Sequence, residues 1–316
     1  MSLFQTPTYQ KVIKVAKPVL ILVITLFVFF KLFYSYHINT LFTRFELNNT
    51  IGSWYYLAAT IALLFFNWGI ESYKWQLLIN RFEPISFFTA VKAVLSGVTL
   101  SIITPNQIGD FAGRVIHLEV LNKIKGSLVT VIGHTAQVIV TLTFGLFSLR
   151  YFSDSIPAIK PWMPLGYVLI PISILGYLKL DWVYKHVAHW PYLKKVEKYI
   201  EVFGQYSIGT LSQLLTLSFL RYAVFLCQYF LLIRFFHVQI DWLPALACIV
   251  ATFCVQSVFP SFLLLEIGLR GVSALYFFSM FSAQHEGILL AAYSLWMINM
   301  LVPGILGMYF IYKVRT

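Results

Sequence analysis

The sequence predicts an all-α polytopic membrane protein built from two inverted repeats, with six crossing helices and two re-entrant helical hairpins. Three observations carry this. The 316-residue chain is 59% hydrophobic and only 11% charged, against about a quarter charged in a soluble domain. It holds several apolar runs long enough to cross a bilayer. Two shorter apolar runs end at prolines, Pro105 and Pro260, and after each comes an acid followed four residues later by an arginine: Asp110 with Arg114, and Glu266 with Arg270.

The elements follow in chain order. Lys11, Lys14 and Lys17 precede a first span, roughly Pro18 to Tyr34. No small-residue cleavage site follows it, so it reads as a retained span. A second span runs from about Trp54 to Ile70. It continues as a helix through Glu71, Lys74 and Trp75 into the interface, where tryptophan suits the headgroup level. Phe87 to Ile103 is apolar but short for a crossing, as a re-entrant half-helix would be. The stretch from Thr104 to Arg114 then reads as a new helix start: Thr104 caps, Pro105 takes the first helical position and Gln107 sits where a capping box places it. That helix is expected to carry Asp110, Arg114, His117 and Glu119. A span follows from Ser127 to Leu149.

Arg150 to Trp162 is polar and proline-containing, and marks the midpoint. Residues 1–155 form the first membrane repeat and 156–316 the second, with no separate soluble domain. The second half holds spans at Met163–Leu178, Ile208–Ile233 and Ile288–Tyr312, and the short run Trp242–Phe259. Lys179 to Lys198 mixes five lysines with Trp182, Trp190 and Tyr192. It reads either as an interfacial amphipathic segment at an anionic leaflet or as a plain basic loop.

Charge sets the orientation. With two hairpins that do not cross, the segments 1–17, 71–86, 122–126, 179–207 and 313–316 fall on one side, and they hold 14 of the 23 Lys and Arg. The positive-inside rule then puts both termini in the cytoplasm. An odd number of crossings per half makes the repeats inverted, so the two hairpins enter from opposite sides. The formal charge of +11 belongs to span flanks and anionic lipid rather than nucleic acid. Cys227, Cys248 and Cys254 lie in apolar runs without metal-ligand spacing. No metal and no cofactor is expected.

The chain resembles the flippase-like integral membrane family, also described as the transmembrane region of lysylphosphatidylglycerol synthases. The residues that carry the resemblance are Lys74-Trp75-Gln-Leu-Leu78, Pro105, Gly109-Asp110 and Arg114 in the first half, and Pro260, Gly268 and Arg270 in the second. Gly271 stands where that family commonly has Glu, and Glu266 lies one turn earlier. The resemblance implies lipid translocation or lipid-linked processing in a bacterial cytoplasmic membrane. The aminoacyl-transfer domain of the fused synthases is not expected.

A headgroup crossing the bilayer needs cations for its phosphate and donors from helix starts. The candidate binding residues are therefore Arg114 and Arg270, with Asp110 and Glu266 holding them when empty, and Asn106 and Lys92 as further contacts. Pro105, Gly109, Pro260 and Gly268 are the candidate hinges. Arg221 is open to either a backbone carbonyl or a lipid, and His117 and His134 read as polar packing residues. The expected partners are a phospholipid or other anionic lipid and the bilayer; a homo-oligomer is left open. Two other function classes compete: an intramembrane lipid-linked glycosyl- or phosphotransferase, and a non-transporting partner of a lipid synthase. The first would want clustered acids, and the sequence has no DxD or HExxH.

Overall fold

In the computed structural model the chain is described over residues 51–104, 107–119, 123–187, 197–259 and 263–314. The expected span Pro18–Tyr34 and the residues Pro105, Asn106 and Pro260 lie outside these. All regular structure among the described residues is helical. Five helical segments are long and apolar enough to cross a membrane: Ser53–Ile79, Lys123–Phe152, Pro157–Leu178, Ile208–Phe235 and His285–Lys313. They coincide with the five expected spans that fall within the described residues.

The first helix, α1 (Ile51–Ile79), is continuous for 29 residues, about 44 Å at 1.5 Å per residue. Its second half continues the helix, as the sequence suggested, and packs inside the protein. Trp75 is buried and its Nε1 donates to Thr130 Oγ1 at 3.2 Å. Leu78 and Ile79 join it in an apolar core. The indole is held by side chains of neighbouring helices.

Next comes a helical hairpin, α2 (Phe87–Ile103) and α3 (Gly109–Arg114). Ser86 caps α2, accepting from the Thr89 amide at 3.1 Å. At 17 residues α2 is about 26 Å long, short of a hydrocarbon core of about 30 Å. The reversal differs from the expected helix start. Thr104 closes α2 rather than opening the next helix, and Gln107 takes a left-handed φ of 56°. Thr104 still acts across the turn, because its Oγ1 accepts from the Gly109 amide at 2.7 Å. After α3 the backbone tightens into a 3-10 turn at Val115–His117, so His117 and Glu119 lie beyond the helix. Glycines let the two arms touch. A Cβ on Gly113 would run into the Ser96 carbonyl, and one on Gly97 into the Asp110 carboxylate.

The remaining helices are α4 (Lys123–Phe152), α5 (Met163–Leu178), the short α6 (Leu180–Val187) and α7 (Glu197–Ile200), α8 (Ile208–Phe235), α9 (Trp242–Val258), α10 (Leu263–Phe278), α11 (His285–Trp296) and α12 (Val302–Lys313). The short α6 exposes Trp182 and carries an Asp181–Lys185 pair at 3.9 Å; residues 188–196 of the basic segment are outside the description. A π-helical turn, Met297–Leu301, joins α11 to α12. The long helices α1 and α8 pack side by side, and α12 packs along α2. There the backbones nearly touch: Thr99 Oγ1 donates to the Gly304 carbonyl at 2.7 Å, and a Cβ on Gly307 would strike the Leu95 carbonyl.

Candidate functional site

The site starts from a helical period. Asn67, Glu71 and Lys74 fall at i, i+4 and i+7 on α1, so one face of an otherwise apolar helix presents an amide, an acid and an amine. All three are buried. The hairpin brings Asp110 and Arg114 to that face from α3, α4 adds His134, and α8 adds Arg221.

Glu71 sits at the centre. Its carboxylate meets Arg114 Nη1 at 2.9 Å, Arg221 Nη1 at 3.1 Å and Lys74 Nζ at 3.3 Å. Arg114 also donates through Nε to both oxygens of Asp110, each at 2.9 Å. Asp110 in turn lies 2.9 Å from His134 Nε2. Lys74 reaches the Gly133 carbonyl at 3.4 Å, and Arg221 Nε donates to Asn67 Oδ1 at 2.8 Å. The side chains of Glu71, Lys74, Asp110 and Arg114 are at most 6% exposed, whereas His134 is 37% exposed and forms the open edge.

The charge does not balance. Lys74, Arg114 and Arg221 bring three positive charges, and Glu71 and Asp110 bring two negative ones. With His134 neutral the buried group carries one excess positive charge. Uncompensated charge in low dielectric is costly, so the arrangement favours an anion at its edge.

A chain of amides leads away from the cluster. Asn67 Nδ2 donates to Asn299 Oδ1 at 2.7 Å, and Asn299 Nδ2 to Gln228 Oε1 at 3.1 Å. Gln228 Nε2 ends on the Thr60 carbonyl at 3.0 Å. Asn299 lies within the π-turn, a local departure often found at functional positions in helices.

Over residues 16–307 the chain matches the family model described as the lysylphosphatidylglycerol synthase TM region. The chain belongs to this family. No curated protein and no solved structure matches it. The match covers the five described spans almost completely, and membership in this synthase TM family agrees with a multi-pass membrane protein related to lipid metabolism.

The other sequence-selected residues are distributed as follows. Glu266 and Arg270 pair on α10, Nη2 to Oε1 at 2.6 Å, and Arg270 Nη1 also donates to Gln256 Oε1 at 3.1 Å. Among the described residues no hydrogen bond or ion pair joins this pair to Arg114 or Asp110. The Tyr293 hydroxyl fills the space in which a side chain at Gly271 would begin. That gives a physical reason for glycine where the family resemblance led one to look for Glu. Lys92 places its ammonium over the Phe88 ring at 4.8 Å, and no ion pair joins it to Glu71 or Asp110. Gly109 opens α3, where a Cβ would strike the Leu100 carbonyl. Gly268 lies inside α10 with open space around it.

Two readings from the sequence are corrected. Arg221 pairs not with a backbone carbonyl but with the side chains of Glu71 and Asn67. His134 is a member of the charged group, not a separate packing residue; His117 does pack, its Nε2 lying 2.9 Å from Ser96 Oγ. Glu71, Asn67, Gln228 and Asn299 were not selected. The signal for the first two was present, in the i, i+4, i+7 spacing of polar groups on one face of a spanning helix.

Proposed function

We propose that this protein moves an anionic, phosphate-bearing lipid between leaflets without covalent chemistry, using the Arg114–Arg221–Lys74 group to hold the phosphate. The excess positive charge of the buried cluster carries this reading. Arginine and lysine suit a phosphate at such a place, arginine by its planar fork and lysine as a point charge. Intramembrane charge of this kind is expensive and defaults to function.

An apolar groove of about 400 Å³ opens beside α1, lined by Phe65, Phe66, Gly69, Ile70 and Tyr73 with Phe87 of α2 and Leu217 of α8. Leu217 is one helical turn from Arg221, so a ligand would reach the cluster from the Arg221 side; the α1 residues of the groove lie on the other face of that helix from Asn67, Glu71 and Lys74. An amphipathic ligand would lay its tail there and its phosphate at the cluster.

In this reading α2–α3 and α9–α10 are re-entrant hairpins of two inverted repeats, residues 1–155 and 156–316. Both termini are cytoplasmic in a bacterial inner membrane. Rocking one repeat against the other would expose the site to either side in turn. Arg270 and Glu266 would then be the second, counterpart contact.

The test is leaflet exchange of tail-labelled lipids in proteoliposomes. Arg114→Lys keeps the charge but loses the fork, so exchange of phosphate-bearing lipids should slow. Arg114→Gln with Arg270→Gln should abolish it. Unchanged exchange in the double variant, or conversion of lipid to a modified product by the purified protein, overturns the proposal.

A further inference from the structure

His134 stands at the edge where the buried charges open outward. It lies on α4, about 17 Å from the Lys123 end of that helix at 1.5 Å per residue. Its side chain is 37% exposed, whereas the Asp110 carboxylate that it meets at 2.9 Å is 6% exposed. Both polar contacts of the ring go to Nε2, the second being Arg114 Nη2 at 3.5 Å. Among the described residues no hydrogen bond engages Nδ1. The Phe111 ring lies 5.5 Å from the imidazole and covers one side of it.

Other histidines of the chain meet neutral groups. His117 pairs with Ser96 Oγ, His237 with Ser53 Oγ and His186 with the Trp182 carbonyl. His134 instead meets a buried carboxylate that an arginine already holds. Ionisable groups at membrane depth are costly and mark ion and proton pathways. Histidine is the side chain whose ordinary charge change falls between about pH 5 and 8.

The charged groups around it are Asp110 and Arg114 on α3, with Glu71 and Lys74 on α1 and Arg221 on α8 behind them. Arg114 gives Nε to Asp110 and Nη1 to Glu71, which leaves Nη2 facing His134. A proton added at Nδ1 breaks no bond, because Nε2–H donates to Asp110 in the charged ring as it can in the neutral one. The charged ring no longer accepts from Arg114 Nη2. Two N–H groups, at Nδ1 and at Nη2, are then without an acceptor at the open edge, and the excess charge of the cluster rises from one to two. That combination fits the oxygens of an anion. It disfavours a metal ion.

We infer that His134 takes up a proton when the anion binds, so that the site holds an anion and a proton together. The inference rests on the phosphate reading above and adds its coupling ion. By reciprocity, a proton that tightens the anion is itself tightened by it. Anion affinity therefore rises as pH falls.

The test is binding of tail-labelled phosphatidylglycerol to the full chain in detergent. Its phosphodiester keeps one negative charge between about pH 5 and 8, so a pH dependence in that window belongs to the protein. Affinity should rise about tenfold from the upper to the lower end. His134→Gln keeps a donor for Asp110 but cannot charge, and should bind at the weak level at every pH. His134→Arg is always charged and should bind at the tight level at every pH. In weakly buffered solution, lipid binding to the native protein should withdraw protons from the medium, and binding to His134→Gln should not. Affinity that ignores pH in the native protein, the same pH dependence in His134→Gln, or binding without proton uptake overturns the coupling and leaves the phosphate reading standing. No binding of the lipid at any pH overturns both.

Discussion

Glu71 holds three cations at hydrogen-bonding distance with one carboxylate. Removing that charge leaves Lys74, Arg114 and Arg221 facing one another with only Asp110 to offset them. Breaking a buried pair by deleting one partner typically costs about 3–5 kcal/mol, because the other charge stays buried. Glu71→Gln should therefore destabilise the protein by roughly that amount, measured by thermal or denaturant unfolding in detergent. Asp154→Asn gives the contrast. Its pair with Lys160 at 2.9 Å is between exposed side chains, and exposed pairs contribute little. If the two variants unfold alike, Glu71 is not the centre of a buried charge group.

At the scale of helices, glycines decide how closely elements meet. Gly307 on α12 lies against the Leu95 carbonyl of α2, and the same pair of helices is linked by the Thr99–Gly304 hydrogen bond. Gly307→Ala must push α12 away from the arm that leads to Asp110 and Arg114. Overpacking of this kind costs about 1–3 kcal/mol. Gly268→Ala is the opposite case. It lies in the middle of α10 with nothing to strike, and alanine there should stabilise by about 0.5–1 kcal/mol through the lower entropy of the unfolded chain. Unfolding midpoints of the two variants, moving in opposite directions, check the pair. A shared direction would contradict the packing described for α2 and α12.

For the whole molecule the open matter is orientation in the membrane. In the topology proposed above, argued from the charge bias across the flanks, the N-terminus would be inside and the α4–α5 connection outside. In a background lacking the native cysteines, Ser2→Cys should react with an impermeant thiol reagent from the cytoplasmic side only, and Ser155→Cys from the other side only. Labelling of both from one side rejects the topology with both termini inside and two non-crossing hairpins. Lys74 is buried against Glu71 rather than free on a flank, and without it the same five segments still hold 13 of the 23 Lys and Arg.

What the sequence by itself determined is local. Span lengths, the short arm before Thr104, and the acid–arginine pairs Asp110–Arg114 and Glu266–Arg270 all follow from hydrophobic runs and a four-residue helical offset. Each follows from a contiguous stretch of sequence, and each that falls among the described residues appears in the structure. The helix start was misplaced because capping residues were read as one helix end when they serve two: Thr104 ends α2 and clips Gly109. What only the tertiary structure decided is the company these residues keep. Arg221 reaches Asn67 across 154 residues of sequence, and Asn299 reaches it across 232. No local pattern specifies such pairings. They arise because a charge or amide buried in an apolar bundle must find a partner on whichever helix packs beside it, and that is set by how α1, α3, α4, α8 and the π-turn come together.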